Sequence, residues 1–337
     1  MIRCFENADL RNRNSFRVVQ HAACLAEFDK AEELSEIFAR YRGVPRRKVL
    51  SGGNNILFTK DFDGLLITPC GKGIEVVSDD GVDVAVRVEA GVEWDDFVCW
   101  CVERDLWGAE NLSLIPGKAG AAPVQNIGAY GVEARDIVKN VEMYVIESDN
   151  FLTLAGEHCA FGYRESVFKN LLADKVVITA VEFRLSRTPN PKLGYGDVIR
   201  ETEARGGVSL RNIRDAICSI RRSKLPDTAV LGNAGSFFKN PVVEATVAEA
   251  LLAEHPDMPH YPAADPQRCK LAAGWLIDKA GMKGFRCGNV GVHDRQALVL
   301  VNFGGASGGE VLELAHTVQG RVKEVFGIEI DTEVNIL

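Results

Sequence analysis

The chain has 337 residues, more than one small hydrophobic core can organise, so we expect two or three structural lobes. Its hydrophobic fraction of 46% and charged fraction of 26% are typical of a soluble globular protein. The net charge of −8 argues against nucleic acid as the main partner, although a few local donors can hold one phosphorylated small molecule. No apolar run is long enough to cross a bilayer and no signal peptide is recognisable, so no membrane association is expected.

The nine cysteines are scattered along the chain and form no framework. Cys99 and Cys101 are too close together for a CxxC pair, and no second pair completes a zinc site. The sequence therefore predicts reduced thiols, a cytoplasmic location and no metal centre.

Strands mixed with a few helices are predicted for the N-terminal half, which indicates an α+β domain. Strict alternation from Val82 to Val88 predicts a half-buried strand. Apolar residues at helical spacing predict a surface helix over residues 22–42 and a further helix over 94–102. Further strands are predicted at residues 48–50, 65–67, 138–146 and 176–185.

A segment rich in proline and glycine, residues 187–196, is predicted to be a loop or linker. A helix near residues 213–220 follows it, and the glycine-rich turn at 232–235 opens a second domain. That domain is predicted to contain helices at 243–253, 271–280 and 309–325 and strands at 297–301 and 328–336.

Two glycine-rich segments are candidates for a binding site. The first, Ser51-Gly52-Gly53-Asn54-Asn55, follows a predicted strand directly, and the second spans residues 111–131. Such small residues let a ligand lie against the main chain and leave N–H groups free to point at a pyrophosphate. A plain hairpin turn or a close-packed crossing of backbones has the same composition, so these explanations stay open. No GxGxxG motif follows a predicted strand, so the usual dinucleotide fold is not indicated.

A GxSxG motif occurs at residues 305–309, between a predicted strand and a predicted helix, as in a hydrolase nucleophile elbow. A hydrolase would also need an acid and then a histidine on later strands. Only His316 follows, on the same predicted helix as the motif. A glycine-rich helix start is therefore the favoured interpretation, and a serine hydrolase using Ser307 is the alternative.

Three more polar residues are candidates, and each has an ordinary explanation. Ser236 follows a tight turn within GNAGSFFKNP, with Phe237 and Phe238 expected to anchor it, and serine commonly serves there as a turn or cap residue. Arg164 lies in FGYRES, where a surface or salt-bridged arginine is equally expected. Glu333 lies opposite the isoleucine face of the last strand, where most carboxylates face water.

Six sequence runs together resemble the UDP-N-acetylenolpyruvoylglucosamine reductase family, the MurB flavoenzymes of bacterial cell-wall synthesis. In chain order they are NLSLIPGKAGAAPVQNIGAYGVE, FGYRESVFK, KLPD, GNAGSFFKNP, KLAAGWLIDKAGMKG and VHDRQALVLVN, and the resemblance covers the chain from about Leu50 to its end. The KLGYGD loop is similar to the type I branch, which has an extra substrate-covering loop. The glycine turns depart from the family's usual GGGSN and PGTVG and read SGGNN and PGKAG.

The resemblance implies an α+β fold with an FAD-binding domain of the vanillyl-alcohol-oxidase (PCMH) type in two lobes. Residues 1–70 and 71–223 would form these lobes, with the substrate-covering tyrosine loop near 187–200. Residues 224–337 would form a C-terminal α+β substrate-binding domain. The implied enzyme is a monomer with noncovalent FAD. It uses NADPH to reduce UDP-N-acetylglucosamine enolpyruvate to UDP-N-acetylmuramate for peptidoglycan synthesis.

The resemblance also implies roles for individual residues. Ser236 would donate a proton to the α-carbon, while Arg164 and Glu333 would stabilise the developing charge. Residues resembling those that hold the UDP portion are Tyr195, Lys224, Asn240 and Gln296. The implied cofactor contacts are Ser51, Gly52, Gly53, Asn54, Asn55, Pro116, Gly117, Gly120, Ala121, Gln125, Asn126, Gly128 and Tyr163. Lys118 either adds a phosphate contact or is solvated. A flavin-binding relative without reductase activity, acting as a UDP-sugar binding module, is a further alternative.

Overall fold

The structure is a computed structural model that describes all 337 residues. The chain divides into two compact units. Unit 1 comprises Met1–Ala8, Ala22–Gly52 and Asp63–Ser223, and unit 2 comprises Asp9–His21, Gly53–Phe62 and Lys224–Leu337. Two short N-terminal segments therefore belong with the C-terminal third of the chain, whereas the sequence placed both in a first FAD-binding lobe. The functional assignment of three domains stays a prediction.

The secondary structure is mixed throughout the chain, as the sequence predicts. The seven α-helices are α1 (Glu33–Arg40), α2 (Trp94–Val102), α3 (Val198–Glu203), α4 (Leu210–Lys224), α5 (Ala245–Glu254), α6 (Ala273–Lys279) and α7 (Gly308–Phe326). The first strands are β1 (Arg3–Asp9), β2 (His21–Phe28), β3 (Arg47–Val49), β4 (Ile56–Leu57), β5 (Phe62–Pro69), β6 (Ile74–Asp79), β7 (Asp83–Glu89), β8 (Gly128–Ala129), β9 (Val132–Glu133) and β10 (Val138–Val145). The remaining strands are β11 (Asn150–Ala155), β12 (Val176–Ser186), β13 (Val242–Glu244), β14 (His260–Pro262), β15 (Arg268–Leu271), β16 (Arg286–Cys287), β17 (Val290–Val292), β18 (Leu300–Asn302) and β19 (Asn335–Ile336). Short 3-10 helices lie at Arg11–Arg13, Glu110–Leu112, Ala119–Ala121, Ala134–Asp136 and Gly156–His158.

Two sheets organise unit 1. One has the strand order β1-β2-β5-β3, and its β3–β5 pair is parallel, with Val49 opposite Ile67. The other has the order β11-β10-β12-β7-β6 and is antiparallel. Its core contains a packed aromatic trio of Trp94, Phe97 and Phe183.

The sequence prediction for residues 22–42 is wrong over its first part. Residues His21–Phe28 form β2, and only Glu33–Arg40 form the helix α1. β2 lies between β1 and β5 and buries residues from both of its faces, so its apolar side chains do not alternate. Their spacing therefore imitates that of a helix.

Small sheets and three helices form the C-terminal part of unit 2. β15 pairs with β13 and β14, β17 pairs with β16 and β18, and the last strand, β19, pairs in parallel with β4. The alternation predicted over 328–336 is confirmed for Ile328, Ile330 and Val334, which are buried, although hydrogen bonding defines a strand only at Asn335–Ile336. None of the helices in either unit has the length and apolar character needed to cross a bilayer.

The GxSxG motif forms the start of α7. Ser307 is the N-cap: its Oγ accepts the N–H of Glu310 at 3.2 Å, and the Glu310 carboxylate accepts the Ser307 N–H at 2.8 Å. The Ser307 hydroxyl also donates to this carboxylate at 2.8 Å. Reciprocal capping of this kind satisfies N–H groups that a helix start leaves open. The motif therefore supports a helix start, not a nucleophile elbow.

Replacing the capping serine should affect stability only. Ser307→Ala removes one cap and should lower the free energy of unfolding by about 1 kcal/mol, measured by urea denaturation. Ser307→Thr keeps the hydroxyl and should retain most of that stability. Loss of enzymatic activity in a folded Ser307→Ala protein would contradict the capping role and favour the hydrolase alternative.

Candidate active site

Two buried hydroxyls lie at the carboxyl end of the parallel β3–β5 pair. The Leu50 N–H donates to the Ile67 carbonyl at 2.9 Å, so Ser51, just after β3, and Thr68, the penultimate residue of β5, lie at the same end of two paired strands. The Oγ of Ser51 and the Oγ1 of Thr68 are both buried, and neither has a hydrogen-bond partner. A buried hydroxyl without a partner costs about 1–3 kcal/mol. This end of the sheet is therefore suited to a ligand that offers hydrogen-bond acceptors, such as a phosphate or a ribityl chain.

The second glycine-rich segment is tied to the same end of β5 through Lys118. The Lys118 ammonium donates to the carbonyl of Pro69 at 2.9 Å. Burial lowers the pKa of Lys118 below its ordinary value. The interpretation of Lys118 as a solvated surface lysine is therefore wrong, because its charged end is bonded to the main chain.

Gly120 lies at a close crossing of backbones. A Cβ atom added there would come within 2.5 Å of the Ala90 Cβ. The N–H groups of Ala119 and Gly120 donate to the carbonyls of Val92 and Ala90, at 2.8 and 3.1 Å, and the Ala121 N–H donates to Lys118. The expectation that these N–H groups are free for an anion is wrong, since each already has a protein partner. Contacts of Gly120 and Ala121 with a cofactor remain predictions.

Arg164 lies at the tip of a tight turn. Gly162 and Glu165 exchange backbone hydrogen bonds of 3.0 and 3.3 Å, and Arg164 adopts a left-handed φ of 56°. Its Nη2 donates to the carbonyl of Gly128 at 3.0 Å, and its Cζ lies 5.3 Å from the centre of the Tyr163 ring. A left-handed arginine is strained and persists only where its surroundings fix it. The turn therefore presents this guanidinium in a defined direction.

The buried side chain of Asn126 holds the turn that carries Arg164 in place. Its amide nitrogen donates to the Gly162 carbonyl at 3.0 Å and to the Glu133 carboxylate at 2.9 Å. Its amide oxygen accepts the N–H of Arg135 at 2.9 Å. Asn126 is thus fully bonded within the protein and positions the turn that carries Arg164. Sequence reasoning missed Glu133, because its capping box with Asp136 reads E-x-x-D and lacks the usual S/T-x-x-E/Q signature.

Gly128 leaves the space that Arg164 occupies. A Cβ atom at Gly128 would lie 3.1 Å from the Arg164 Nη1 and 2.9 Å from the Glu133 Cγ. Asn126, Gly128 and Tyr163 were predicted as cofactor contacts. In the structure the three surround Arg164.

Ser236 and Glu333 are brought together on adjacent extended segments of unit 2. Ser236 forms a bridge with Val299, and the Glu333 N–H donates to the Phe237 carbonyl at 2.8 Å. Phe237 and its neighbour Phe238 are fully buried and anchor the segment, as the sequence predicts. Ser236 and Glu333 therefore lie on a rigid part of the fold.

The other predicted residues are distributed over the two units. In unit 2, the Asn240 Oδ1 accepts the N–H of Ala273 at the start of α6 at 3.0 Å. The Gln296 carbonyl accepts the N–H of Val299, three residues beyond it, at 3.0 Å. In unit 1, the ring of Tyr195 meets the ring of Tyr130 edge to face, 6.0 Å between centres.

The remaining predicted residues lie at segment ends or in turns. Lys224 is the last residue of α4 and the first of the C-terminal segment of unit 2. The two residues that open the SGGNN turn, Ser51 and Gly52, belong to unit 1, and Gly53, Asn54 and Asn55 belong to unit 2. A Cβ atom at Gly53 would collide with the carbonyl of Arg13, and the glycine has a left-handed φ of 63°. Gly53 is therefore required by the local packing.

Known proteins of one family match the chain over its whole length. A family model described as an FAD binding domain matches residues 22–148, and one described as the UDP-N-acetylenolpyruvoylglucosamine reductase C-terminal domain matches 226–337. The UDP-N-acetylenolpyruvoylglucosamine reductase of Chromobacterium violaceum is 48% identical over 336 residues, 98% of each chain. That of Pseudomonas aeruginosa is 48% identical over 337 residues, again 98% of each chain. The chain belongs to the UDP-N-acetylenolpyruvoylglucosamine reductase family.

Solved structures support the fold of this reductase-family member. The MurB enzyme of Thermus caldophilus matches with a TM-score of 0.70 at 23% identity and covers 100% of this chain and 98% of its own. A 6-hydroxy-D-nicotine oxidase from Arthrobacter nicotinovorans matches with a TM-score of 0.55 at 14% identity, covering 97% of this chain and 86% of its own. The predicted α+β fold with a PCMH-type FAD-binding domain is confirmed, and so are the reductase class and FAD as cofactor. The two partnerless hydroxyls, Ser51 after β3 and Thr68 near the end of β5, fit this cofactor.

Thr68 provides a direct test of the cofactor site. Thr68→Val removes a buried hydroxyl that has no protein partner, so the apoprotein should keep or gain stability. FAD affinity, measured by fluorescence titration of the apoprotein, should fall by about tenfold. Thr202, whose buried hydroxyl donates to the Val198 carbonyl at 2.7 Å, is the matched control. Thr202→Val should lower stability and leave FAD affinity unchanged. The assignment fails if Thr68→Val behaves in the same way as that control.

Proposed function

We propose that this chain reduces the enolpyruvyl ether of UDP-N-acetylglucosamine enolpyruvate to the lactyl ether of UDP-N-acetylmuramate, with NADPH as the electron donor. The observation that carries the proposal is the fixed guanidinium of Arg164, held on the Gly128 carbonyl by a strained turn. Full-length similarity to reductases that are named for this substrate supports it. Residues 224–337 form the substrate domain in this proposal, and residues 1–70 and 71–223 form the two FAD-binding lobes.

Residues at the end of the β3–β5 pair would hold FAD. The Ser51 and Thr68 hydroxyls are available to its polar groups, because neither has a protein partner. Bound FAD would supply the hydride that reduces the enolpyruvyl double bond. The other residues proposed to contact it are Gly52, Gly53, Asn54, Asn55, Pro116, Gly117, Gly120, Ala121, Gln125, Asn126, Gly128 and Tyr163.

Arg164 is proposed to bind the carboxylate of the enolpyruvyl group. Hydride addition to the β-carbon leaves negative charge on the adjacent carbon and its carboxylate, and a guanidinium can stabilise that charge. The Gly128 carbonyl orients the guanidinium before substrate binds, so little reorganisation is needed during the reaction.

Ser236 is proposed to donate the proton that completes the reduction at the α-carbon. A serine hydroxyl is a poor acid in water, so this step needs a strongly basic carbon held at hydrogen-bond distance. The buried Phe237 and Phe238 restrict the movement of Ser236 and support such positioning. Glu333, on the neighbouring segment, is proposed to stabilise the developing charge together with Arg164, either protonated or bridged through the arginine.

Four residues are proposed to hold the UDP portion. Lys224 supplies positive charge for the diphosphate, and Tyr195 covers it. Asn240 and Gln296 contribute hydrogen bonds. The Asn240 side chain is held by the Ala273 N–H, and the Gln296 main chain is held by the Val299 N–H. NADPH and substrate use the same site in turn in this monomeric, cytoplasmic enzyme. All nine cysteines are free thiols, which agrees with a reducing compartment.

An anaerobic visible spectrum tests the function. A purified sample should be yellow, lose its flavin absorbance on addition of NADPH, and recover it on addition of the enolpyruvyl UDP-sugar. A yellow protein that NADPH does not bleach would favour a UDP-sugar binding module. A colourless protein inactivated by serine-directed reagents would favour the hydrolase alternative.

The serine variant separates the two half-reactions. Ser236→Ala should leave flavin reduction by NADPH nearly intact, because no proton is delivered to carbon in that step. Reoxidation by substrate should slow by roughly 10²–10⁴-fold in stopped-flow measurements. Ser307→Ala, a serine change at a helix cap, should leave both rates unchanged. Equal slowing of both half-reactions in Ser236→Ala would indicate a binding role instead of protonation.

The arginine variant tests the need for a planar fork. Arg164→Lys keeps the charge but cannot form two parallel hydrogen bonds with a carboxylate, so kcat/KM should fall by about ten- to hundredfold. The exposed Arg184 of the same unit offers a control, and Arg184→Lys should have no effect. Wild-type kcat/KM in Arg164→Lys would argue against carboxylate binding by this residue.

A further inference from the structure

The side chain of Asn111 is completely buried and bridges two loops of unit 1. Its amide nitrogen donates to the carbonyl of Tyr130 at 2.8 Å and to the carbonyl of Lys192 at 2.8 Å. Its amide oxygen is buried without any hydrogen-bond partner. A buried oxygen without a partner is unfavourable. The benefit of an asparagine at this position must therefore come from the two N–H groups of its amide, which bond to the two carbonyls.

The two loops that Asn111 joins carry tyrosines in contact with each other. Lys192 lies three residues before Tyr195 in the tyrosine loop, and the Tyr195 ring meets the Tyr130 ring edge to face at 6.0 Å. A single carboxamide therefore holds the backbones on both sides of this ring pair. Burial raises the pKa of Tyr130, so its phenol is neutral at physiological pH.

The tyrosine loop has few other attachments near its tip. Leu193 packs with Tyr130 against the apolar cluster of α3 and α4. Gly194 and Gly196, on either side of Tyr195, have no atoms within 4 Å of where a Cβ would lie. Half of the Tyr195 surface is exposed. The loop is thus fixed at residues 192–193, and the exposed half of Tyr195 just beyond is accessible to a ligand.

We propose that Asn111 is a positioning residue that anchors the tyrosine loop, so that Tyr195 is held ready to cover the nucleoside diphosphate of the substrate. This inference rests on the proposed function, which assigns Tyr195 to the UDP portion. Without the anchor, the loop samples many conformations, and ligand binding must then order it at a cost in affinity. Only a side chain with two donors and this length fits, because both acceptors are fixed main-chain carbonyls.

Asn111→Asp tests the anchor at nearly constant shape. A carboxylate has no donor for either carbonyl, so the loop should detach while the rest of unit 1 stays folded. Trypsin should then cleave after Lys192 about tenfold faster than in the wild type. The dissociation constant of UDP, measured by calorimetry, and the KM for the UDP-sugar should each rise about tenfold, with kcat changed far less. FAD content and flavin reduction by NADPH should match the wild type.

A matched variant controls for the added charge. Asn150→Asp introduces the same change at an exposed position outside the tyrosine loop, where the side-chain oxygen accepts the N–H of Phe151, and it should leave cleavage and UDP binding unchanged. Should Asn111→Asp fail to fold, Leu193→Ala loosens the loop from its other attachment and should produce the same two increases.

The inference is overturned if Asn111→Asp shows wild-type cleavage and wild-type UDP binding. The same result in Leu193→Ala overturns it if Asn111→Asp does not fold. Faster cleavage with unchanged UDP binding would overturn it as well, because the loop would then have no role in nucleotide binding. Failure of the proposed function would appear differently: the wild-type protein itself would not reduce the enolpyruvyl substrate.

Discussion

The hydrogen bonds of the buried Asn126 amide are the constraint on which the rest of the site depends. They join three chain segments, since the amide contacts the Gly162 carbonyl, the Glu133 carboxylate and the Arg135 N–H. Arg164 has a left-handed backbone that costs about 1–2 kcal/mol, and the turn from Gly162 to Glu165 must be fixed on both sides to keep it. The main-chain carbonyl of Gly128 then directs the guanidinium. The guanidinium is therefore oriented by groups of the protein before any ligand arrives.

The segment from Asn111 to Gly131 serves this purpose at two points. At the start of the segment, Asn111 holds the tyrosine loop through the Lys192 carbonyl. Near the end of the segment, Asn126 holds the turn that carries Arg164. Between them, Gly120 crosses Ala90 so closely that no side chain fits. This one segment therefore positions both Tyr195, which is proposed to cover the substrate, and Arg164, which is proposed to stabilise the developing charge. The glycines and alanines of the segment act mainly by permitting close packing, and the asparagines act by bonding to main-chain carbonyls.

Much of the fold could be predicted from the sequence where the pattern is local. The alternation predicted from Val82 to Val88 was confirmed by β7 for Val84, Val86 and Val88, which are buried, but not for Val82, which is exposed before the strand begins. The helical periods near residues 94–102 and 309–325 were confirmed by α2 and α7. Residues 22–28 were predicted wrongly as helix, because β2 buries Leu25 on one face and Ala26 and Phe28 on the other, which obscures the alternation. The inclusion of residues 9–21 and 53–62 in unit 2 depends on distant contacts, such as the Ser15 N–H with the Gly53 carbonyl. No local pattern encodes such a contact.

The site was predictable in its residue types but not in its hydrogen bonding. The anchoring of Ser236 by two phenylalanines was predicted from FF after the serine and is confirmed. The donors of Ala119 and Gly120 were expected to face an anion and instead complete the backbone ladder with Val92 and Ala90. Small residues show that another group can approach the backbone closely, but they do not distinguish a ligand from another segment of the chain. For the same reason, the bridging roles of Asn111 and Glu133 could not be read from the sequence.

A crystal structure of the FAD-loaded protein with the enolpyruvyl UDP-sugar tests the central claim most directly. The account predicts that Arg164 keeps its bond to the Gly128 carbonyl and its left-handed backbone, and that its guanidinium also binds the enolpyruvyl carboxylate. A complex in which the turn from Gly162 to Glu165 rearranges, or in which the carboxylate binds away from Arg164, would contradict it.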